Sequence, residues 1–263
     1  MKIKSLLFVA AISATVFNAN AQFGKSLKNV GKSVGNAAAN IAGDMAADVA
    51  ANKVCDNIVG WMDTQNNVSA DDSEYTKRLA SIVGNYTAVD GLALNYKVYE
   101  NSEANILACA NGCIRVYSGM MDVLTDDEML AVVAEQIGHI VNKDARDNLM
   151  KVAKGNSATN ATAAQLDKML SMSGDKLGTV VNELIQVPYS DKQNEAADKY
   201  AVTFLKNNGK DASSLVSALE KFAAMEVNDE QAESDETITL SVANKYVKVN
   251  SNNAARAALV ESM

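Results

Sequence analysis

Apolar residues recur at alternating spacings of four and three from Phe23 through Leu27, Val30, Val34, Ala37, Ile41 and Met45. That is the stripe of a helix of coiled-coil type. Gly24, Gly31, Gly35 and Gly43 lie among these positions, weakening the helix in isolation while permitting close helix approach. The segment runs from residue 22 to about residue 62, where Trp61 anchors its end, and Thr64 to Asp72 reads as a polar linker. Two uses fit such a stripe: packing on the protein's own body, or contact with a partner or a membrane surface through residues 22–60.

Beyond the linker the pattern changes. Ser73 to Val83 predicts a short helix with Tyr75, Leu79, Ile82 and Val83 on one side, and three strands follow at Tyr96–Tyr99, Ile106–Cys109 and Cys113–Tyr117. Asn111-Gly112 joins the last two as a hairpin. Thr125 and Glu128 form a capping box that opens a strongly apolar helix through Met129, Leu130, Val133, Ile137 and Ile140. A loop rich in Asn, Ser, Thr and Ala covers residues 155–164. Ser190 and Gln193 cap a second helix from Asn194 to Lys206 that stops before Gly209. Asp211 caps a third through Leu215, Leu219 and Phe222. An acidic loop is expected over residues 228–236, and a last helix over 253–261. Many helices, few strands and no β-α-β alternation predict an α+β fold, mostly helical with a small sheet and an edge hairpin.

Composition narrows the chemistry. The 263 residues are 48% hydrophobic with one proline, enough for a sizeable core. The net charge of −8 argues against nucleic acid as the main partner. Lys2 and Lys4, an apolar run from Leu6 to Phe17 and Ala19-Asn20-Ala21 have the form of a cleavable signal peptide covering residues 1–21. Cleavage is expected after Ala21, giving a periplasmic or secreted protein. In such a compartment the three cysteines matter. Cys109 and Cys113 flank the hairpin turn and are either a disulfide or two small strand residues, while Cys55 stands apart. A single histidine, His139, limits the chain to at most one imidazole ligand or acid–base group.

Glu135 and His139, four apart, share a face of the first capped helix, and Glu195 and Asp198 share a face of the second. Taken alone these pairs are also what solvated ion pairs look like. The stretches that contain them carry more. The segment from Asn105 to Met121 resembles the edge-strand hairpin of the CaaX prenyl protease/HtpX-like zinc metallopeptidases. Thr125 to Asn142 is similar to that family's active-site helix with its His-Glu-x-x-His motif. Pro188 to Asp198 resembles its third-ligand motif, and Arg256 fits its closing arginine. The resemblance spans residues 71–263 as a metallopeptidase-like domain, with residues 22–70 as a separate helical segment, and implies a zincin-like fold.

The resemblance also places the roles, and the departures fall on them. It makes Glu135, His139 and Glu195 the metal ligands, and puts Gln136 where a glutamate would accept the proton of zinc-bound water. Such peptidases need the metal to acidify water and a carboxylate to take the proton. An amide has no base near neutral pH, and general-base catalysis contributes about 10²–10⁴-fold. Two carboxylate ligands with one imidazole shift preference from zinc toward harder divalent ions. Asp191 and Asn250 depart from the family as well. Two functions are therefore open: a pseudo-peptidase that binds unfolded or envelope protein clients without cutting them, and an active metal-dependent endopeptidase of envelope quality control.

Overall fold

A computed structural model describes residues 21–155, 163–233 and 252–263, with side chains over 42–155, 165–226 and 252–263. Residues 1–20 of the expected signal segment, residues 156–162 of the low-complexity loop and the stretch around Asn250 lie outside the described residues. The elements are α1 (Ala21–Gln65), α2 (Glu74–Val83), β1 (Ala88–Val89), β2 (Leu92–Ala93), β3 (Asn95–Tyr99), β4 (Ile106–Ala108) and β5 (Cys113–Tyr117). They continue with α3 (Ser118–Val123), α4 (Asp126–Val141), α5 (Asp144–Lys154), α6 (Ala163–Leu170), α7 (Asp175–Leu184), α8 (Asp191–Asn207), α9 (Ser213–Glu233) and α10 (Asn253–Glu261).

The chain divides into two units, Met1–Met45 and Ala46–Met263. The first is helical from Ala21 onward, as the apolar stripe predicts. The second unit includes the later part of α1, where Ala51, Val54, Ile58 and Met62 are buried in a cluster with Leu149, Leu166 and Leu177. Asp63 then fixes the end of α1 to the sheet, accepting from Arg115 Nε at 2.8 Å and from the Tyr99 hydroxyl at 2.6 Å.

The larger cluster surrounds α4. Met129 to Ala134 are all but inaccessible, enclosed by α2, α8, α9, α10 and the sheet. Helix α8 comes closest, at Gly138: a Cβ there would lie 3.0 Å from the Cα and carbonyl oxygen of Ala197, so glycine is what the approach requires.

The main sheet has three strands in the order β3-β5-β4, with β3 parallel and β4 antiparallel to β5. β4 is therefore an edge. The expected hairpin is present: Gly112 has φ +85°, and its N–H donates to the Cys109 carbonyl at 3.0 Å. Cys109 and Tyr117 donate across the pair to Cys113 and Asn105. By antiparallel alternation the backbone groups of Ile106 and Ala108 point to the outer side of β4.

Both expected capping boxes form, at Thr125/Glu128 and Ser190/Gln193. The acidic loop expected from residue 228 does not begin there: α9 continues to Glu233, since the run Val227-Asn-Asp-Glu-Gln-Ala-Glu233 contains neither glycine nor proline to stop it.

Candidate functional site

The Thr125 cap fixes the start of α4 and so sets which residues face which neighbour. Glu128 Oε2 accepts the Thr125 N–H at 2.7 Å and Lys221 Nζ at 2.6 Å. Burial raises the Glu128 carboxyl, but Lys221, Ser217 and the cap outweigh it and bring its pKa to about 2. Two turns on, Glu135, Gln136 and His139 are buried to 2% exposure or less.

Glu135 and His139 come together as their spacing predicts, with Oε1 and Nε2 3.5 Å apart. The rest of their surroundings are charged. Arg256 on α10 donates through Nη2 to Glu135 Oε1 at 2.6 Å and to Asp198 Oδ1 at 2.7 Å, and through Nε to Asp198 Oδ2 at 3.0 Å. His139 Nδ1 lies 2.9 Å from Asp144 Oδ2, and Gln193 Nε2 donates to the other Asp144 oxygen at 3.0 Å. The imidazole stacks on Tyr189, with ring centres 3.7 Å apart and planes 11° from parallel. Burial lowers the His139 pKa, but Asp144 and Glu135 raise it by more, and the net shift is upward. Burial likewise leaves Asp198 raised, with Arg256 opposing. The first turn of α5, the face of α8 and the first turns of α10 thus meet α4 at one buried ionic centre.

Glu195 is not part of it. Its side chain is 44% exposed and bonds Lys199 Nζ one turn along α8, which holds its carboxyl below the usual range. The physical reason is helical phase. One residue turns the helix by about 100°, and the face of α8 that goes inward carries Asn194, Ala197, Asp198 and Ala201. Asn194 is 2% exposed, and its Oδ1 has no hydrogen-bond partner. The periodicity of Asn194, Asp198 and Ala201 was the available signal for this. Asp144 and Tyr189, which bracket the imidazole, have no comparable mark in the sequence.

This donor set does not fit a zinc cradle as arranged. Among the described residues no three His, Cys, Asp or Glu side chains converge on one point. The Glu135 oxygen nearest His139 is bonded to a guanidinium, whose positive charge would repel a metal ion held on the same atom. Of the inward polar residues of α8, Asn194 is a neutral amide, a poorer zinc ligand than a carboxylate, and Asp198 is bonded to Arg256.

Gln136 faces elsewhere. With Asn105 it lines a cavity of roughly 70 Å³ bounded by β4 and by apolar residues such as Ile58, Met62, Val181 and Leu184. Asn105 Oδ1 accepts the Ile106 N–H at 2.9 Å, but Asn105 Nδ2 and Gln136 Nε2 are buried donors with no acceptor.

Comparison with known proteins covers these elements. The family model described as Peptidase family M48 matches residues 76–246, which include Glu135, Gln136, His139, Asn194 and Asp198. Metalloprotease LoiP of Escherichia coli (strain K12) is 37% identical over 169 residues, covering 63% of this chain and 66% of that protein. Metalloprotease YcaL of the same organism is 34% identical over 174 residues, covering 63% and 65%. The chain thus matches just under two thirds of the length of these curated relatives.

Proposed function

The chain belongs to Peptidase family M48, and from that premise we propose that it is an exported member that holds extended peptide clients without cutting them. The observation that carries this reading is the pair of buried, unpartnered amide donors, Gln136 Nε2 and Asn105 Nδ2, facing one apolar cavity beside an edge strand. An unpaired buried donor costs about 1–3 kcal/mol, and the carbonyl oxygens of an extended peptide are the acceptors it lacks. Strand addition on β4 would supply further pairing through the outward carbonyl of Ile106 and the backbone groups of Ala108, the Ile106 N–H being held by Asn105 Oδ1, while the cavity takes an apolar side chain. Unfolded or envelope proteins, which expose both features, are the clients this chemistry suits. The zincin-like arrangement and export by a signal ending at Ala21 belong to the same reading.

Hydrolysis fits less well. Gln136 offers no base, and Glu135 is committed to Arg256. The family resemblance implies zinc, or a harder divalent ion given two carboxylates, but the donor set described above does not form its cradle. The second reading is an active metal-dependent endopeptidase; LoiP and YcaL are named metalloproteases.

One experiment separates the two. A fluorescent, unstructured peptide rich in apolar residues is incubated with the purified protein and added zinc. Anisotropy follows binding, and mass spectrometry follows the peptide. We expect saturable binding and an intact peptide, with Gln136→Ala weakening affinity about five- to tenfold, the worth of one hydrogen bond, at nearly unchanged thermal stability. Chelator-sensitive cleavage of the peptide overturns the proposal in favour of the active enzyme.

A further inference from the structure

The first helical unit, which ends at Met45, carries charge of the opposite sign to the rest of the chain. Between Gln22 and Gly43 stand Lys25, Lys28 and Lys32 and no acidic residue, while all 32 aspartates and glutamates lie from Asp44 onward. Counted at about 100° per residue, the apolar positions from Phe23 to Ile41 fall in one narrow stripe of α1, and the three lysine positions fall on its opposite side. Glycine, serine, alanine and asparagine fill the positions between. Where side chains are described, the apolar positions continue at a spacing of four and stand open. Met45 and Val49 are 65% and 56% exposed, the two most exposed large apolar residues among the described residues. Among those residues no helix is long and apolar enough to cross a membrane. A helix with one apolar side and a basic polar side lies instead in the plane of a bilayer surface.

We propose that residues 22–45 dock this chain on the surface of an anionic lipid bilayer, with the apolar stripe in the headgroup boundary and the three lysines supplying the attraction. The charge complementarity is local. At physiological salt an exposed charge is felt over about 8 Å, so what counts is the charge of the segment at the surface, three lysines unopposed by acid, and not the −8 of the whole chain. Neither half of the attraction suffices alone: the stripe is short, and three lysines without apolar contact would bind only weakly. A second copy of the helix suits the stripe less well. The heptad position that follows Ile41 is Asp44, and the positions flanking the stripe carry no charges that would set a pairing. Met45 and Val49 follow instead the turn of a straight helix.

The test uses the full chain and two kinds of vesicle, phosphatidylcholine alone and phosphatidylcholine mixed with phosphatidylglycerol. Sedimentation with the vesicles is expected only where phosphatidylglycerol is present, and it should fall as salt is raised. Changing Lys25→Gln, Lys28→Gln and Lys32→Gln together should weaken that binding about tenfold to hundredfold. Glutamine forms helix nearly as well as lysine, so the circular dichroism of this variant should match the native chain. Val30→Asn with Val34→Asn should abolish vesicle binding while its lysines remain. Absence of vesicle binding overturns the proposal, as does binding of equal strength to both kinds of vesicle. Binding retained in full by the triple lysine variant, including any carried by residues 1–21, overturns it too. So does a dimer in sedimentation equilibrium that Val30→Asn with Val34→Asn dissolves, which would assign the stripe to a second copy.

Discussion

Glu135 and Gln136 are neighbours on one buried helix, turned about 100° apart into surroundings of opposite kind. On the Glu135 side charges answer one another, with Arg256 set between Glu135 and Asp198, and Asp144 on the far nitrogen of His139. On the Gln136 side the walls are apolar, and two amide donors face a cavity with no acceptor. The paired charges tie α4, α5, α8 and α10 together, while His139 Nε2 and Asn194 Oδ1 in the same centre are left without a hydrogen-bond partner. A wall that leaves donors unpaired carries a standing cost, which a bound carbonyl would relieve. The difference teaches that within one short stretch of helix the ionic residues tie neighbouring helices together while the amide is left open toward a cavity.

The largest expected effect breaks the paired side. Arg256→Ala removes the cation shared by Glu135 and Asp198, taking from Asp198 its guanidinium partner and from Glu135 its shortest ion pair. Loss of one partner of a buried pair costs about 3–5 kcal/mol. Denaturant unfolding should show that loss at an unchanged slope. A cost below about 1 kcal/mol would mean that the ionic centre contributes little to the fold, and the contrast with the Gln136 side would collapse.

A smaller effect is legible in the protonation of that same side. His139 is the only histidine in the chain, so its imidazole gives a single, assignable proton resonance. Its folded pKa is raised above the usual 6.5, which means the folded protein holds the proton more tightly than the unfolded chain. The stabilisation is fully present below about pH 6.5 and is lost as pH rises through the folded value. Asp198, also raised, acts with the same sign at lower pH. Titration of the imidazole resonance should therefore give a midpoint above 6.5, and the thermal midpoint should decline on the alkaline side. His139→Gln should flatten that decline. An imidazole titrating below 6.5 contradicts the charge pairing described for this side.

What could be read in advance follows the same division between local and tertiary causes. The two capping boxes, the Asn111-Gly112 turn and the apolar run of α4 are written in short stretches of sequence, and each appears where its signals place it. Helices α5 and α7 escaped because neither begins with a side-chain cap. Lys143 and Gly174 enter them with positive φ, a start that leaves no Ser, Thr, Asp or Asn to read. The joining of Glu135 to His139 was legible from their spacing, and Arg256 from its resemblance to a family position. Its bridge from Glu135 to Asp198 depends on three helices meeting, and the flanking of His139 by Asp144 and Tyr189 likewise depends on separate segments coming together. Glu195 shows the limit most plainly, since a short motif can be out of phase by one residue while the helix allows no such slip.

The smallest expected effect lies there. Glu195 is exposed and bonded only along its own helix, to Lys199, in the kind of surface pair that contributes about 0–1 kcal/mol. Glu195→Ala should leave denaturant stability within about 0.5 kcal/mol of the native chain. It should also leave unchanged whatever affinity the protein has for zinc, measured by competition with a chromogenic chelator. Asn194→Asp is the informative counterpart. It puts a carboxylate on the buried face that Asn194 shares with Asp198, where the unpartnered Oδ1 already sits. A new buried charge lowers stability unless a cation answers it, so zinc should recover part of the stability lost in Asn194→Asp and none in Glu195→Ala. If instead Glu195→Ala alone lowers zinc affinity tenfold or more, the outward face of α8 is the metal-binding one. Glu195 would then have to swing inward from Lys199, and Asn194 would have no claim to the position.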